Sequence, residues 1–313
     1  MNLSNTAPSS QKAVFTLSLD FELMWGTADR PYAKKFQALC ERERRYVISR
    51  LLGLLEEFDI CATWGIVGSL FLSPAEVSSV PNGPEQLYSS PDLVEQILRC
   101  RVRQDVGSHG FSHIEMREPN CSRVDAEREL EGCVRAARKY GVDLKSFIFP
   151  RNYVGHLNLL QEYGFTCYRS PEPHWYRDQP RPVRRFGQLI EIAAARTPPG
   201  VTVRNNGGIW EIPGSMLYTP SFGARRYVPV WMRVLRARRG LNQAVRRNEI
   251  FHLWFHPTDL VCRMEAMMRG LREIFEHVAR LREAGQIEVR SMADLVPSEP
   301  SIEWECEVPV GRS

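Results

Sequence analysis

Only seven histidines occur in 313 residues, and two of them, His109 and His113, stand four apart in the polar run GSHGFSHIEM. Neutral imidazole is a good ligand for borderline cations such as zinc, at roughly 2.0–2.1 Å. Two imidazoles at this spacing share a face if helical, and a turn can also converge them. A second feature lies upstream. The segment AVFTLSLDFELMWG carries Asp20 and Glu22, two apart, so in an extended strand their side chains point the same way. Two carboxylates on one face repel unless a cation lies near them. Catalytic zinc sites typically keep three protein ligands and an open position for water. Glu22, His109 and His113 would supply one carboxylate and two imidazoles. Taken singly, these residues also fit plainer roles, as a solvated strand end or a loop histidine.

Two more motifs carry charge. EIFHLWFHP carries His256 just before Pro257, at the mouth end of a strand, where it is favoured for chemistry. His252 is on the same face, four residues deeper, and reads as a satisfied interior histidine. SFIFPRNY carries Arg151, which either pairs a carboxylate and holds it ionised or lies on the surface.

The elements that must position these groups follow one pattern. A helical stretch ends in a small turn and an apolar strand begins, as in LLGLLEEFDICATWGIVG, CVRAARKYGVDLKSFIFP, LNLLQEYGFTCYRS and VARLREAGQIEVRSM. Gly141, Gly164 and Gly285 sit where helix ends favour glycine. Such alternation predicts a parallel α/β sheet or barrel, with its chemistry at the carboxyl ends of the strands. SPDLVEQILRC predicts a helix capped by Ser90 with Pro91 in its first turn, and DAERELEGCVRAARKYG one that opens at Asp125. RMEAMMRGLREIFEHVARLREAG is the longest amphipathic helix. Residues 170–208 read as an irregular excursion rich in Pro and Arg. The expected organisation is a disordered lead-in over 1–11, one barrel domain over 12–296 and a polar tail over 297–313.

Composition narrows the class. Hydrophobic residues are 43% and charged residues 25%, the balance of a soluble globular protein. A net charge of +4 is too mild to imply nucleic acid. The N-terminus has no apolar h-region, and no run approaches the ~18 apolar residues of a spanning helix. The eight cysteines form no C-x-x-C pair and read as free thiols in a reducing compartment. The location expected is therefore cytoplasmic. Residues 224–247 hold eight arginines and no acids, with apolar residues between. This is either a solvated amphipathic helix or a surface drawn to an anionic membrane or a lipid-linked glycan.

In order and spacing, over roughly residues 13 to 295, SLDFE, SHGFSH, FPRNY and LWFHP resemble the motifs of the polysaccharide deacetylase family, the NodB-homology domain of carbohydrate esterase family four. The resemblance implies a distorted (β/α) barrel and a divalent metal, often zinc, that serves hydrolysis of N-acetyl or related groups. Carried over, Asp20 is the general base, His109 and His113 are metal ligands, Arg151 orients Asp20, and His256 is the general acid. Phe21 stands where the family has a second aspartate, and Glu22 is the substitute ligand of a D-x-E variant. In FPRNY the proline precedes the arginine rather than following it. A backbone oxyanion donor is implied near Tyr153, and Trp25 and Tyr153 are candidates to stack on a sugar ring.

Other readings stay open on the residues alone. Two histidines and a carboxylate also form the facial triad of non-haem Fe(II) oxygenases. The scaffold could serve a metal-independent amidohydrolase acting on a non-sugar C–N bond, or a non-catalytic carbohydrate-binding protein.

Overall fold

Residues 13–21 alternate in character, with Phe15, Leu17, Leu19 and Phe21 on one parity and Thr16, Ser18 and Asp20 on the other. In the computed structural model, which describes residues 12–30, 33–77, 83–173 and 179–297, they form β1 (Ala13–Phe21), buried throughout. The expected lead-in over 1–11 and the tail beyond 297 lie outside the described residues. The apolar parity of β1 packs outward: Phe15 meets Phe251 and Phe275, and Phe21 meets Trp64 edge-on. The polar parity turns into the barrel, where Ser18 and Asp20 meet polar side chains of other strands.

On one side of β1 lie, all in parallel, β2 (Thr63–Ile66), β3 (Asp105–Ser108), β4 (Ser146–Ile148) and β5 (Cys167–Ser170). β6 (Arg204–Asn206) and β7 (Ile209–Pro213) form an antiparallel pair, and β7 runs parallel to β5. Beyond them come β8 (Met216–Leu217), β9 (Ile250–Phe255) and β10 (Ile287–Val289). β9 and β10 pair in parallel with β1, and β8 with β9. Only Gly214 and Ser215 separate β7 from β8. Their N–H groups donate to Ser170 O at 3.0 Å and His252 O at 2.8 Å. One run of chain is thus bonded to β5 at its start and β9 at its end, which draws the sheet into a distorted (β/α) barrel.

The helices are α1 (Ala33–Arg42), α2 (Ile48–Glu57), α3 (Pro91–Leu98), α4 (Arg123–Arg138), α5 (Leu157–Glu162), α6 (Arg181–Ala193), α7 (Val230–Arg247) and α8 (Met264–Glu283). A π-helical turn, Glu43–Val47, joins α1 to α2. Gly141, Gly164 and Gly285 all have positive φ, as a helix end requires. Among the described residues no helix is long and apolar enough to cross a membrane, and the seven described cysteines are free.

Three local expectations are corrected. Ser90 stands at the N-cap of α3, but its hydroxyl donates to Gln86 O at 2.6 Å instead of capping the helix. α4 opens two residues before Asp125, because Ser122 caps it by accepting from Asp125 N–H at 3.2 Å. The stretch 170–208 is not wholly irregular: α6 fills its middle, led in by Pro180, and β6 its end.

Residues 224–247 divide into a 3-10 turn, Gly223–Tyr227, and α7. Two of the eight arginines, Arg233 and Arg236, point inward and are buried. The Arg233 guanidinium donates to the carbonyls of Thr219, Pro220, Arg225 and Val228 at 2.8–3.1 Å, so it ties the loop after β8 to α7. Arg233→Met keeps the length of the side chain and leaves these carbonyls without their donor. The expected loss in urea unfolding is about 2–4 kcal/mol.

Candidate active site

Asp20 is the penultimate residue of β1 and Glu22 follows its end; His109 follows β3, and His256 follows β9. Parallel pairing brings these three strand ends to one mouth. Glu22 Oε2 lies 2.9 Å from His113 Nε2 and 3.3 Å from His109 Nε2. The ligand atoms of Glu22, His109 and His113 all lie within 4.8 Å of one another, the geometry of a group that could hold a metal ion.

The donor chemistry fits a cation. His109 Nδ1 lies 2.8 Å from Ile148 O. A carbonyl only accepts, so Nδ1 carries a hydrogen, and Nε2 is the ring atom turned toward the Glu22 carboxylate, 3.3 Å away, as a ligating nitrogen would be. Burial lowers the pKa of His113, against the pull of the Glu22 carboxylate. Burial would raise that of Glu22, but His113 and His256 outweigh it and hold the carboxyl well below its ordinary range. One carboxylate with two imidazoles is a donor set for a borderline divalent ion.

Two further residues shape this cluster. His113 adopts a left-handed backbone, φ 62°, which costs an ordinary residue of order 1–3 kcal/mol. The Glu129 carboxylate, buried on α4, holds that turn: it accepts from Phe111 N–H at 2.7 Å, Ser112 N–H at 2.8 Å and the Ser112 hydroxyl at 2.5 Å. Gly26 leaves room for Glu22, because a Cβ there would stand 1.9 Å from Glu22 Oε1. Leu23, Arg151 and Asn152 also have positive φ, so strained backbone recurs around the mouth.

The expected pairing of Arg151 with Asp20 is not made. Arg151 instead reaches Glu115 Oε1 at 2.5 Å and Asp29 Oδ1 at 2.6 Å, tying the chain after His113 to the turn after β1. Asp20 is held by Arg169 of β5, whose Nη1 and Nη2 meet Oδ1 and Oδ2 at 2.5 and 2.7 Å. Both partners are buried. Burial works to raise the Asp20 pKa, yet the Arg169 charge, with those of His109 and His256, leaves it below the ordinary value. Arg169 is itself braced. It donates to Ser18 Oγ at 3.1 Å and to Asn152 Oδ1 at 3.2 Å, and stacks on the Trp254 ring 4.2 Å away. The FPRNY motif therefore reaches Asp20 only through Asn152.

His252 is the interior histidine that the sequence suggested. Its Nδ1 lies 3.0 Å from Pro213 O, its Nε2 lies 2.8 Å from Ser18 Oγ, and burial with the nearby Arg169 brings its pKa to about 3. His256 stands on the open side. Its Nε2 lies 3.7 Å from Asp20 Oδ2 and 3.9 Å from Glu22 Oε1, and its Nδ1 lies 3.0 Å from Asp259 Oδ2. Burial opposes its charge, but Asp259, Glu22 and Asp20 together raise its pKa to about 10.

The aromatic candidates are half-buried beside the mouth, each with a prior engagement. Trp25 Nε1 donates to Tyr88 O at 2.9 Å, and Arg117 lies over the Tyr153 ring at 4.5 Å. The Tyr153 N–H, near which an oxyanion donor was expected, donates to Pro150 O at 3.2 Å.

Arg169, Asp259 and Glu129 escaped the sequence reading. Signals for them exist: an arginine inside the apolar strand FTCYRS, an aspartate three residues past the terminal histidine of FHPTD, and an acid within the apolar stripe of α4. If the cluster holds a divalent ion, Gly26→Ala and Glu129→Ala should each weaken its binding, measured by calorimetry, by about tenfold or more, the usual scale for residues that orient ligands. Gly53→Ala is the control, since nothing lies within 4 Å of a Cβ there.

No family model matches the sequence, and no curated protein matches it. Solved structures do match in fold. A protein of Mycobacterium smegmatis described as a polysaccharide deacetylase is 15% identical over 93% of this chain and 92% of its own, with a TM-score of 0.66. A Pseudomonas aeruginosa protein of the same description is 11% identical over 93% and 94%, with a TM-score of 0.61. The Puue allantoinase is 12% identical over 94% and 93%, also at 0.61. At these identities the likeness concerns architecture, and by that measure the chain has the NodB-like polysaccharide deacetylase fold.

Proposed function

We propose that this protein is a metal-dependent hydrolase that removes an N-acetyl or related acyl group from a carbohydrate or glycan precursor. The observation that carries the reading is the convergence of the Glu22, His109 and His113 ligand atoms within 4.8 Å of one another, with the Asp20–Arg169 pair on one flank and the Asp259–His256 pair on the other. Glu22, His109 and His113 would hold the ion, for which zinc suits the donors. When bound, such an ion polarises a carbonyl and makes water more acidic. Asp20, kept ionised and fixed in orientation by Arg169, takes the proton of the attacking water. His256, charged through Asp259, gives a proton from Nε2 to the departing nitrogen as the C–N bond breaks. The products are a carboxylate, acetate in the simplest case, and a free amine. Trp25 and Tyr153 offer ring edges to a sugar at the mouth.

An amidohydrolase acting without metal on a non-sugar amide is the second reading, and the fold shared with an allantoinase favours it. Metal analysis of purified variants, beside turnover on a panel of N-acetylated sugars, separates the two. His109→Ala, His113→Ala and Glu22→Ala should lose metal and activity together. Asp20→Asn should keep most of the metal and lose nearly all turnover. His256→Ala should keep metal and lose roughly 10²–10⁴ in rate, the scale of a general acid. Full metal content in both histidine variants would falsify the site. Ligand affinity untouched by Asp20→Asn, with no turnover in the wild type, would instead indicate a binding protein.

The location proposed is cytoplasmic and peripheral to an anionic membrane. After β8 the chain presents Tyr227 and Trp231, 74% and 60% exposed, with Arg226 over the Tyr227 ring. Aromatic edges beside a cation suit the phosphate of a lipid headgroup or of a lipid-linked sugar. The wild type should sediment with anionic but not neutral vesicles at low salt, and Trp231→Ser with Tyr227→Ser should not. Equal behaviour with both vesicle types would remove the idea.

A further inference from the structure

Glu43 is a carboxyl with no exposure to solvent, on the π-helical turn between α1 and α2. Its neighbours Glu41, Arg42, Arg45 and Tyr46 all face water. The wider π turn rotates one acidic residue inward, where it meets the chain just past β9. Glu43 Oε2 accepts from the Thr258 hydroxyl, while Oε1 is buried with no hydrogen-bond partner. Thr258 lies in the turn Pro257–Leu260 that carries Asp259. That turn closes through Asp259 N–H donating to His256 O at 2.8 Å and His256 N–H donating to Asp259 Oδ2 at 3.1 Å.

We infer that Glu43 is a positioning residue for the proposed acid: by holding Thr258 it fixes the turn from which Asp259 grips His256. Thr258 is itself only half-buried, while Pro257, Asp259 and Leu260 around it are buried, so the hydrogen bond holds the one residue of the turn that packing covers least. Burial pushes the Glu43 pKa to about 8, against the Thr258 bond and His256 and with the charges of Glu22 and Asp259. At neutral pH the group is therefore mainly the neutral acid. It can hold the turn without adding another negative charge beside Asp20, Glu22 and Asp259. An unpaired oxygen in a dry site is a standing cost of order 1–3 kcal/mol, and a leucine would serve packing alone better there.

This inference rests on His256 acting as the acid, and its test keeps the two ideas apart. Four variants are compared: Glu43→Gln, which keeps an acceptor; Glu43→Leu, which removes it; Thr258→Val, which removes the donor; and the Leu/Val double variant. On a substrate the wild type turns over, kcat should fall about tenfold in Glu43→Leu and Thr258→Val, part of the 10²–10⁴ that a general acid supplies. KM and metal content should stay put. Glu43→Gln should recover kcat to within about threefold, and the double variant should be no worse than either single one, since both break the same bond. Crystal structures of the same variants read the geometry without substrate: the Asp259–His256 contact should be lost or lengthened in Glu43→Leu and Thr258→Val and kept in Glu43→Gln. Should Glu43→Leu fail to fold, Thr258→Val carries the test. Full kcat in Thr258→Val with an unmoved Asp259–His256 contact overturns the inference. So does a double variant whose loss is the product of the two single losses. If the wild type hydrolyses nothing, the proposed function fails, and the crystal structures still decide the role of Glu43.

Discussion

The buried pair of Asp20 and Arg169 is the constraint from which the rest of the site follows. A carboxylate sealed from solvent inside a barrel is untenable as an isolated charge. Its partner must therefore come from across the interior and be held there itself. Ser18, Asn152 and the face of Trp254 brace Arg169, although its Nε is left without a hydrogen-bond partner, and His252 backs Ser18 in turn. Five strand-borne or strand-end positions are thereby committed to keeping one carboxylate ionised and aimed. That arrangement trades basicity for orientation, since the same guanidinium that fixes Asp20 also lowers its proton affinity.

Glu22, two residues on, meets the same problem and solves it differently. It has no arginine. Its charge is met by two imidazoles and by His256 at a longer distance. Two carboxylates of one strand end thus stand in separate fields, one of permanent charge and one of groups whose charge depends on what they bind. His256 lies between the two, tied to Asp259 on its far side, and is the group best placed to move a proton between them.

Much of this was legible in the sequence because it is local. The segment AVFTLSLDFELMWG with its two carboxylates marked the end of β1, the terminal histidine of FHLWFHP marked the end of β9, and the H-x-x-x-H spacing with Glu22 named the cluster the fold assembles. What was not legible is pairing across the barrel. Arg151 and Arg169 are both strand-associated arginines, and nothing in either local sequence states which strand faces Asp20. The strand order decides it: Arg169 lies within β5 and projects inward, whereas Arg151 lies past the end of β4 in a left-handed turn that sends it toward Glu115. Buried acids on helices, Glu129 and Glu43, were missed for a related reason. A helical face tells which residues turn inward only when the partner surface is known.

The left-handed residues deserve a last consideration in evolutionary terms. Leu23, His113, Arg151, Asn152, His156 and Arg263 all lie in the connections that follow strand carboxyl ends. A helix end tolerates such a backbone readily, as at His156, Asn248 and Arg263, but Leu23, His113, Arg151 and Asn152 lie around the mouth. Each one carries conformational energy that a glycine, or a differently shaped loop, would not. A lineage free of any constraint at this mouth, while keeping the barrel, would find its easiest gains in thermal tolerance there. Persistence of non-glycine residues at these positions in descendants of this chain would accordingly mark continued selection on the mouth, independently of whether His109 and His113 themselves had been kept.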